Sequence, residues 1–153
     1  MKYLFFLSAI LCIQLIISYR DPDDLINPTG TYILKGMMEK NVITGPNGEI
    51  RAKLLDNNKL ALCFFINKGY PGFESGSFID TLDYNDNQVK YRSQKDADCT
   101  IVLVFKNRYV DVMLIHSDPQ CTCGFVKGVM IPASFEKCSG DNPIIQDLTH
   151  RAN

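Results

Sequence analysis

The chain has 153 residues, is 46% hydrophobic and 22% charged, and sets 16 Lys and Arg against 17 Asp and Glu. That length suits one domain with one sizeable core. The near-neutral charge, with no basic stretch, argues against a nucleic-acid partner, which needs a clustered cationic face.

The first stretch, "MKYLFFLSAILCIQLIIS", places one lysine ahead of an apolar run from Tyr3 to Ile17. It reads as a secretory signal peptide over residues 1–18, too short and too close to the start for a membrane span. The expected mature chain of about 135 residues is secreted or periplasmic, and has no membrane segment after cleavage. Residues 19–28, "YRDPDDLINP", are rich in Asp and Pro and predict an extended, solvated lead-in.

From there short strand-like runs follow one another: 31–37, 49–55, 59–66, 76–84, 88–92, 99–105, 109–115, 123–131 and 133–137. Turn signals separate them, among them "GPNG" (45–48), "NKGYPG" (67–72), "NDN" (85–87) and "SDPQ" (117–120). Ile50, Ala52 and Leu54 alternate with Arg51 and Lys53, as in a half-buried antiparallel strand. The runs 60–66 and 99–105 are apolar on both faces, which predicts central strands or strands covered on both sides. Asn107-Arg108 has the spacing of a tight hairpin turn, with Lys106 opposite Tyr109 and Phe105 opposite Val110. Nothing shows a helical stripe of useful length. The expected fold is all-β, an antiparallel up-and-down barrel of about eight strands over residues 29–138, with a β-sandwich as the alternative. Residues 139–153 are expected to be a flexible tail.

Without the leader five cysteines remain: Cys63, Cys99, Cys121, Cys123 and Cys138. In an oxidising compartment most are expected in disulfides, and the odd number leaves at least one thiol. Spacing alone leaves the pairing open. A metal site on Cys121 and Cys123 could recruit His116, but zinc takes four ligands and no second close pair is present, so neither metal nor cofactor is expected. The imidazoles available for catalysis are His116, where a strand meets a loop, and His150, in the terminal tail. Asp80 falls on the apolar side of its strand, where burial would raise its pKa, but no partner is identifiable. The expectation is therefore no enzyme and no catalytic residues.

The most suggestive stretch is "NKGYPGFESGS" (67–77). Gly69, Pro71 and Gly72 shape a loop presenting Tyr70 and Phe73, which either face a ligand or fold back over the core.

"CTIVLVF", "VDVM" and "CGFVKGVMIPASFEK", with upstream "TGTY" and "SGSFIDTLDYNDNQVKY", resemble a signature of small secreted, calycin-like β-barrel proteins related in architecture to bacterial lysozyme inhibitors and lipocalin-like barrels. The likeness covers residues 29 to 138. It implies a Cys99–Cys123 disulfide, pairing the strand cysteine with that of the "CGFG"-type segment. This chain departs from the pattern in carrying Val126 where the last glycine stands, and in adding Cys63, Cys121 and Cys138, which suggest a second bridge among them. The resulting expectation is a secreted binding protein using Tyr70, Phe73 and Ser75 on a protein partner such as a lysozyme-type cell-wall hydrolase. The alternative is a lipocalin-like carrier of a small apolar ligand.

Overall fold

The structure, a computed structural model, describes residues 25–116, 118 and 120–146. The expected signal peptide, most of the lead-in, the end of the tail and His150 lie outside the described residues. Among the described residues ten strands form: β1 (Gly30–Leu34), β2 (Met37–Glu39), β3 (Val42–Thr44), β4 (Asn47–Leu54), β5 (Lys59–Asn67), β6 (Ser75–Asp83), β7 (Gln88–Arg92), β8 (Cys99–Phe105), β9 (Tyr109–His116) and β10 (Ala133–Ser139).

Eight of them make one antiparallel sheet in the order β6-β5-β4-β1-β10-β9-β8-β7, nearly closed into a barrel. Two meanders, β4 to β6 and β7 to β10, are joined by β1, which pairs with β4 on one side and β10 on the other. The sheet edges β6 and β7 are consecutive in the chain and face each other. They are joined by the Tyr84–Asn87 turn, where Asp86 and Asn87 both take positive φ and Asn85 bridges Gln88. Beyond that turn the two strands do not pair. Instead the Phe78 and Tyr91 rings stack across the seam, with centroids 3.8 Å apart.

Period-two alternation decides which side chains fill the interior. Tyr32, Ile50, Ala52, Leu60, Leu62, Phe64, Ile66, Phe78, Val89, Ile101, Leu103, Phe105, Val110, Val112 and Phe135 are buried in one core. Each large apolar side chain so buried contributes about 1.5–3 kcal/mol of transfer free energy. Phe64 links the wall, its ring lying 5.1 Å from Phe78 and 5.9 Å from Phe135. The Asn107-Arg108 hairpin forms as its spacing dictates, with Phe105 opposite Val110 and the Lys106 N–H donating to the Tyr109 carbonyl at 2.8 Å.

The doubly apolar β5 is covered on both sides. Its outward Cys63 is buried, and outward Arg51 on β4 donates from Nη1 to the Ile144 carbonyl at 3.2 Å. Residues beyond β10 therefore lie over the outer face of β4 and β5.

Two segments differ from expectation. The run 123–131 is not a strand: Cys123, Gly124 and Gly128 have positive φ, and the segment folds as successive turns. Left-handed backbone cannot continue a ladder, whatever the side-chain pattern. The run 31–37 stops at Leu34, and Met37 begins a separate two-stranded hairpin of β2 and β3. Its turn residues, Lys40 and Asn41, both have positive φ, as a two-residue hairpin of the primed type requires.

Candidate functional site

The antiparallel order sorts the connections onto two ends of the barrel. One end carries the short turns 55–58, 84–87 and 106–108; the other carries the β2–β3 hairpin and the loops 68–74, 93–98 and 117–132. The long-loop end holds the residues singled out by the sequence.

The 68–74 loop is braced from within. The buried Asn67 donates from Nδ2 to the Phe73 carbonyl at 2.8 Å, and its Oδ1 accepts the Gly69 N–H at 2.7 Å. The Lys68 N–H donates to the Glu74 carbonyl at 2.9 Å, and the Phe73 N–H to that of Gly69, also at 2.9 Å. Lys68 Nζ stands 3.4 Å from the Glu74 carboxylate. Hydrogen bonding from the Glu74 backbone, and then Lys68, holds that carboxyl below its ordinary pKa. Gly69 has φ +79, and a Cβ there would collide with the Gly45 backbone, so the loop lies flat on the strand connection beneath it. With each turn tied at both ends, the loop presents Tyr70 and Phe73 as a pair, their rings edge to face at 6.1 Å.

The β2–β3 hairpin docks beside this loop. The Tyr70 N–H donates to the Ile43 carbonyl at 3.0 Å, and Thr44 and Tyr70 form a parallel bridge. The hairpin and the loop together expose five large apolar side chains: Met37 (69% exposed), Met38 (68%), Ile43 (42%), Tyr70 (58%) and Phe73 (51%). Scattered exposed apolar residues need no explanation, but Tyr70 and Phe73 meet edge to face on a braced loop, with Met38 opposite Ile43 on the adjoining hairpin, and apolar groups held out in this way mark an interaction surface.

Next to the patch the unpaired β6–β7 seam opens into a groove of about 610 Å³. Ser75, Ser77 and Asp80 lie on one side, Tyr91, Arg92 and Lys95 on the other, and Cys123 to Val126 above. Phe125 takes the place a side chain on residue 76 would fill, so Gly76 is needed for the roof to close.

The roof is tethered by cysteine. Cys99 and Cys123 form the bridge, with Cα atoms 4.9 Å apart, a separation disulfides favour. Cys121 is a thiol whose Sγ lies 3.2 Å from Asp96 Oδ2, and the same oxygen accepts the Thr122 N–H at 2.9 Å. The sulfurs of Cys99, Cys121 and Cys123 all lie within 4.8 Å of one another, the metal-capable group among the described residues. With two of the three bridged, one thiol remains, short of the four ligands zinc takes. Cys63 and Cys138 stand as separate thiols. Cys63 is on β5 and Cys138 in a bulge of β10, with β1 and β4 between them, so a bridge joining those two would have to span three inter-strand spacings of roughly 4.8 Å each.

Of the residues read from sequence, the structure brings Tyr70 and Phe73 to the patch and places Ser75, exposed, at the groove mouth. Asp80 is exposed rather than buried, at the seam beside Tyr91. His116 ends β9 opposite Cys99 and is exposed. The sequence reading overlooked Met37, Met38 and Ile43. The signal was Lys40-Asn41, a two-residue turn between "MME" and "VIT". Compared with models of known families, with curated proteins and with solved structures, the chain finds no match.

Proposed function

We propose that this is a secreted, non-enzymatic binding protein whose long-loop end docks on a protein partner, with a lysozyme-type cell-wall hydrolase as the first candidate. The observation that carries the reading is the exposed Tyr70 and Phe73 pair held out on a hydrogen-bonded loop, with Met37, Met38 and Ile43 exposed on the hairpin docked beside it. Aromatic anchors that are ordered before contact lose little conformational entropy on binding, so more of their burial appears as affinity. The Cys99–Cys123 bridge suits an oxidising compartment. The interior favours a surface binder over a carrier of apolar ligands: the rings of Tyr32, Phe64, Phe78, Phe105 and Phe135 occupy the space such a ligand would take.

The test is titration of the mature chain, residues 19–153, into lysis assays with a panel of lysozyme types. Stoichiometric loss of lysis is expected for at least one of them. Tyr70→Ala with Phe73→Ala should remove the effect, weakening binding by about 2–4 kcal/mol per anchor while leaving Tm unchanged. Undiminished lysis across the panel would sink the hydrolase reading. Inhibition unaffected by the double variant would move the interface off this patch.

A further inference from the structure

Beside the patch, the three clustered sulfurs carry chemistry that the binding reading does not use. Cys121 keeps its thiol within 4.8 Å of both sulfurs of a disulfide. It is partly exposed and opens into a second pocket, about 240 Å³, lined also by His116, Gln120, Lys127 and Met130. Cys123, the loop partner in the bridge and the sulfur that would leave, has φ +53, a left-handed backbone that a non-glycine residue adopts at a cost. We propose that Cys99, Cys121 and Cys123 form a thiol–disulfide exchange site, in which the tether of the 117–132 loop passes between Cys123 and Cys121 and gives the long-loop end two covalent states.

The step is redox-neutral. Cys121 gives up its proton to water, its thiolate attacks Cys99 Sγ, the Cys99–Cys123 bond breaks, and a Cys99–Cys121 bond forms. Cys123 leaves as a thiolate and takes a proton from water. Attack on Cys123 instead would close a small ring over the single residue Thr122; Cys99 and Cys123 are both buried, so ring size is what separates the two directions. Attack on Cys99 is therefore the productive direction.

Asp96 holds the first state. Its Oδ2 accepts from the Cys121 thiol, the Thr122 N–H and, at 3.4 Å, the Thr122 hydroxyl. The bond from Cys121, and then that from Thr122, keep its carboxyl below the usual range, so it is an anion that favours S–H over thiolate. Burial, followed by Asp96 and Asp118, pushes the Cys121 thiol up, while the Cys123 backbone pulls the other way. His116 and Lys127 line the same pocket. Passage to Cys121 would anchor the loop two residues earlier. Phe125, which roofs the seam over Gly76 and packs edge-on to Phe64 at 6.4 Å, would then sit further from its covalent anchor. The groove beside Ser75 and Ser77 is thus coupled to the sulfur arrangement.

The experiment uses the full mature chain with its natural cysteines. It is incubated between pH 7 and pH 9, quenched with an alkylating reagent and mapped by proteolysis and fragmentation across Thr122. At pH 7 the label within the cluster should sit on Cys121, while the exposed thiol Cys138 is labelled at every pH and serves as the internal reference. At pH 9 a Cys99–Cys121 species with labelled Cys123 should accumulate, its rate of formation rising about tenfold per pH unit below the thiol pKa. Asp96→Ala should speed exchange roughly threefold for each unit by which that pKa falls, since lost nucleophilicity offsets part of the gain in thiolate. Cys123→Ser, oxidised with glutathione disulfide, should form Cys99–Cys121. Label that, within the group of Cys99, Cys121 and Cys123, stays confined to Cys121 over hours at pH 9 would overturn the proposal, and if Cys123→Ser fails to fold the time course alone decides. The readout is the position of a sulfur bond, so failure here is distinct from failure to inhibit any hydrolase.

Discussion

The two ends of the barrel solve opposite problems. At the short-turn end Ile26 to Pro28, in the described end of the lead-in, fold back as a plug. Tyr32 donates its hydroxyl to the Pro28 carbonyl at 2.9 Å, Tyr84 donates to the Ile26 carbonyl at 2.7 Å, and the Ile26 N–H reaches Asn87 Oδ1 at 2.7 Å. Phe105 sits between the two tyrosines, edge-on to both at 5.8 and 5.7 Å. Polar atoms at this end are spent on closing the core. At the long-loop end comparable hydrogen bonds leave the core alone and stiffen loops, keeping apolar side chains outside it. The same currency of interactions therefore secures stability at one end and an exposed surface at the other.

That division can be broken deliberately. Phe105→Ala should have the largest effect, about 3–5 kcal/mol lost in a denaturant midpoint series, because it empties the centre of the plug. Binding by the folded fraction should be unchanged. Asn67→Ala should cost about 1–3 kcal/mol, since it strands the Gly69 N–H and the Phe73 carbonyl. Unlike Phe105→Ala, it should also weaken partner binding by loosening the aromatic pair. An Asn67→Ala protein that bound normally would show that the loop is not held by that side chain.

Tyr84→Phe should cost about 1 kcal/mol, and it carries a pH signature. Burial pushes the Tyr84 phenol up to about 12. Because the folded value is raised, the associated stability is present below about pH 10, where the unfolded tyrosine is still protonated, and is lost as pH rises towards 12. The variant should therefore show a shallower alkaline fall in Tm. The long-loop end has the opposite sign. Glu74 and Asp96 have lowered pKa values, so their contributions are present above about pH 4 and fade as pH falls below it. Hydrogen exchange should show the 68–74 and 93–98 loops opening in acid before the plug does.

Most of the barrel was legible because alternation at period two is a direct imprint of a sheet with one face inside. The inward residues Ile50 and Ala52 were readable on that signal, and the register of the 105–110 hairpin on the spacing of its two-residue turn. The rest was hidden for physical reasons. The β2–β3 hairpin exposes both methionines, so its composition resembles a core strand while its burial does not. In 123–131 apolar residues are placed by left-handed turns and a covalent tether, neither of which leaves a period in the sequence. Tyr70 and Phe73 were recoverable because glycines and a proline flank them. Their neighbours across the hairpin required knowing that the strand ends at Leu34.

The placing of β1 also constrains how the chain reaches this form. Thr31 pairs with Ser139, and Cys138 Sγ reaches the Thr31 carbonyl across 107 positions of sequence. Each meander can assemble from neighbouring strands, but the barrel cannot close until the last strand has been made. During synthesis β1 can pair with β4 and must wait with its other edge bare. The rate at which the finished chain closes that edge, set by long-range loop entropy rather than by local propensity, is the kinetic step on which escape from aggregation depends.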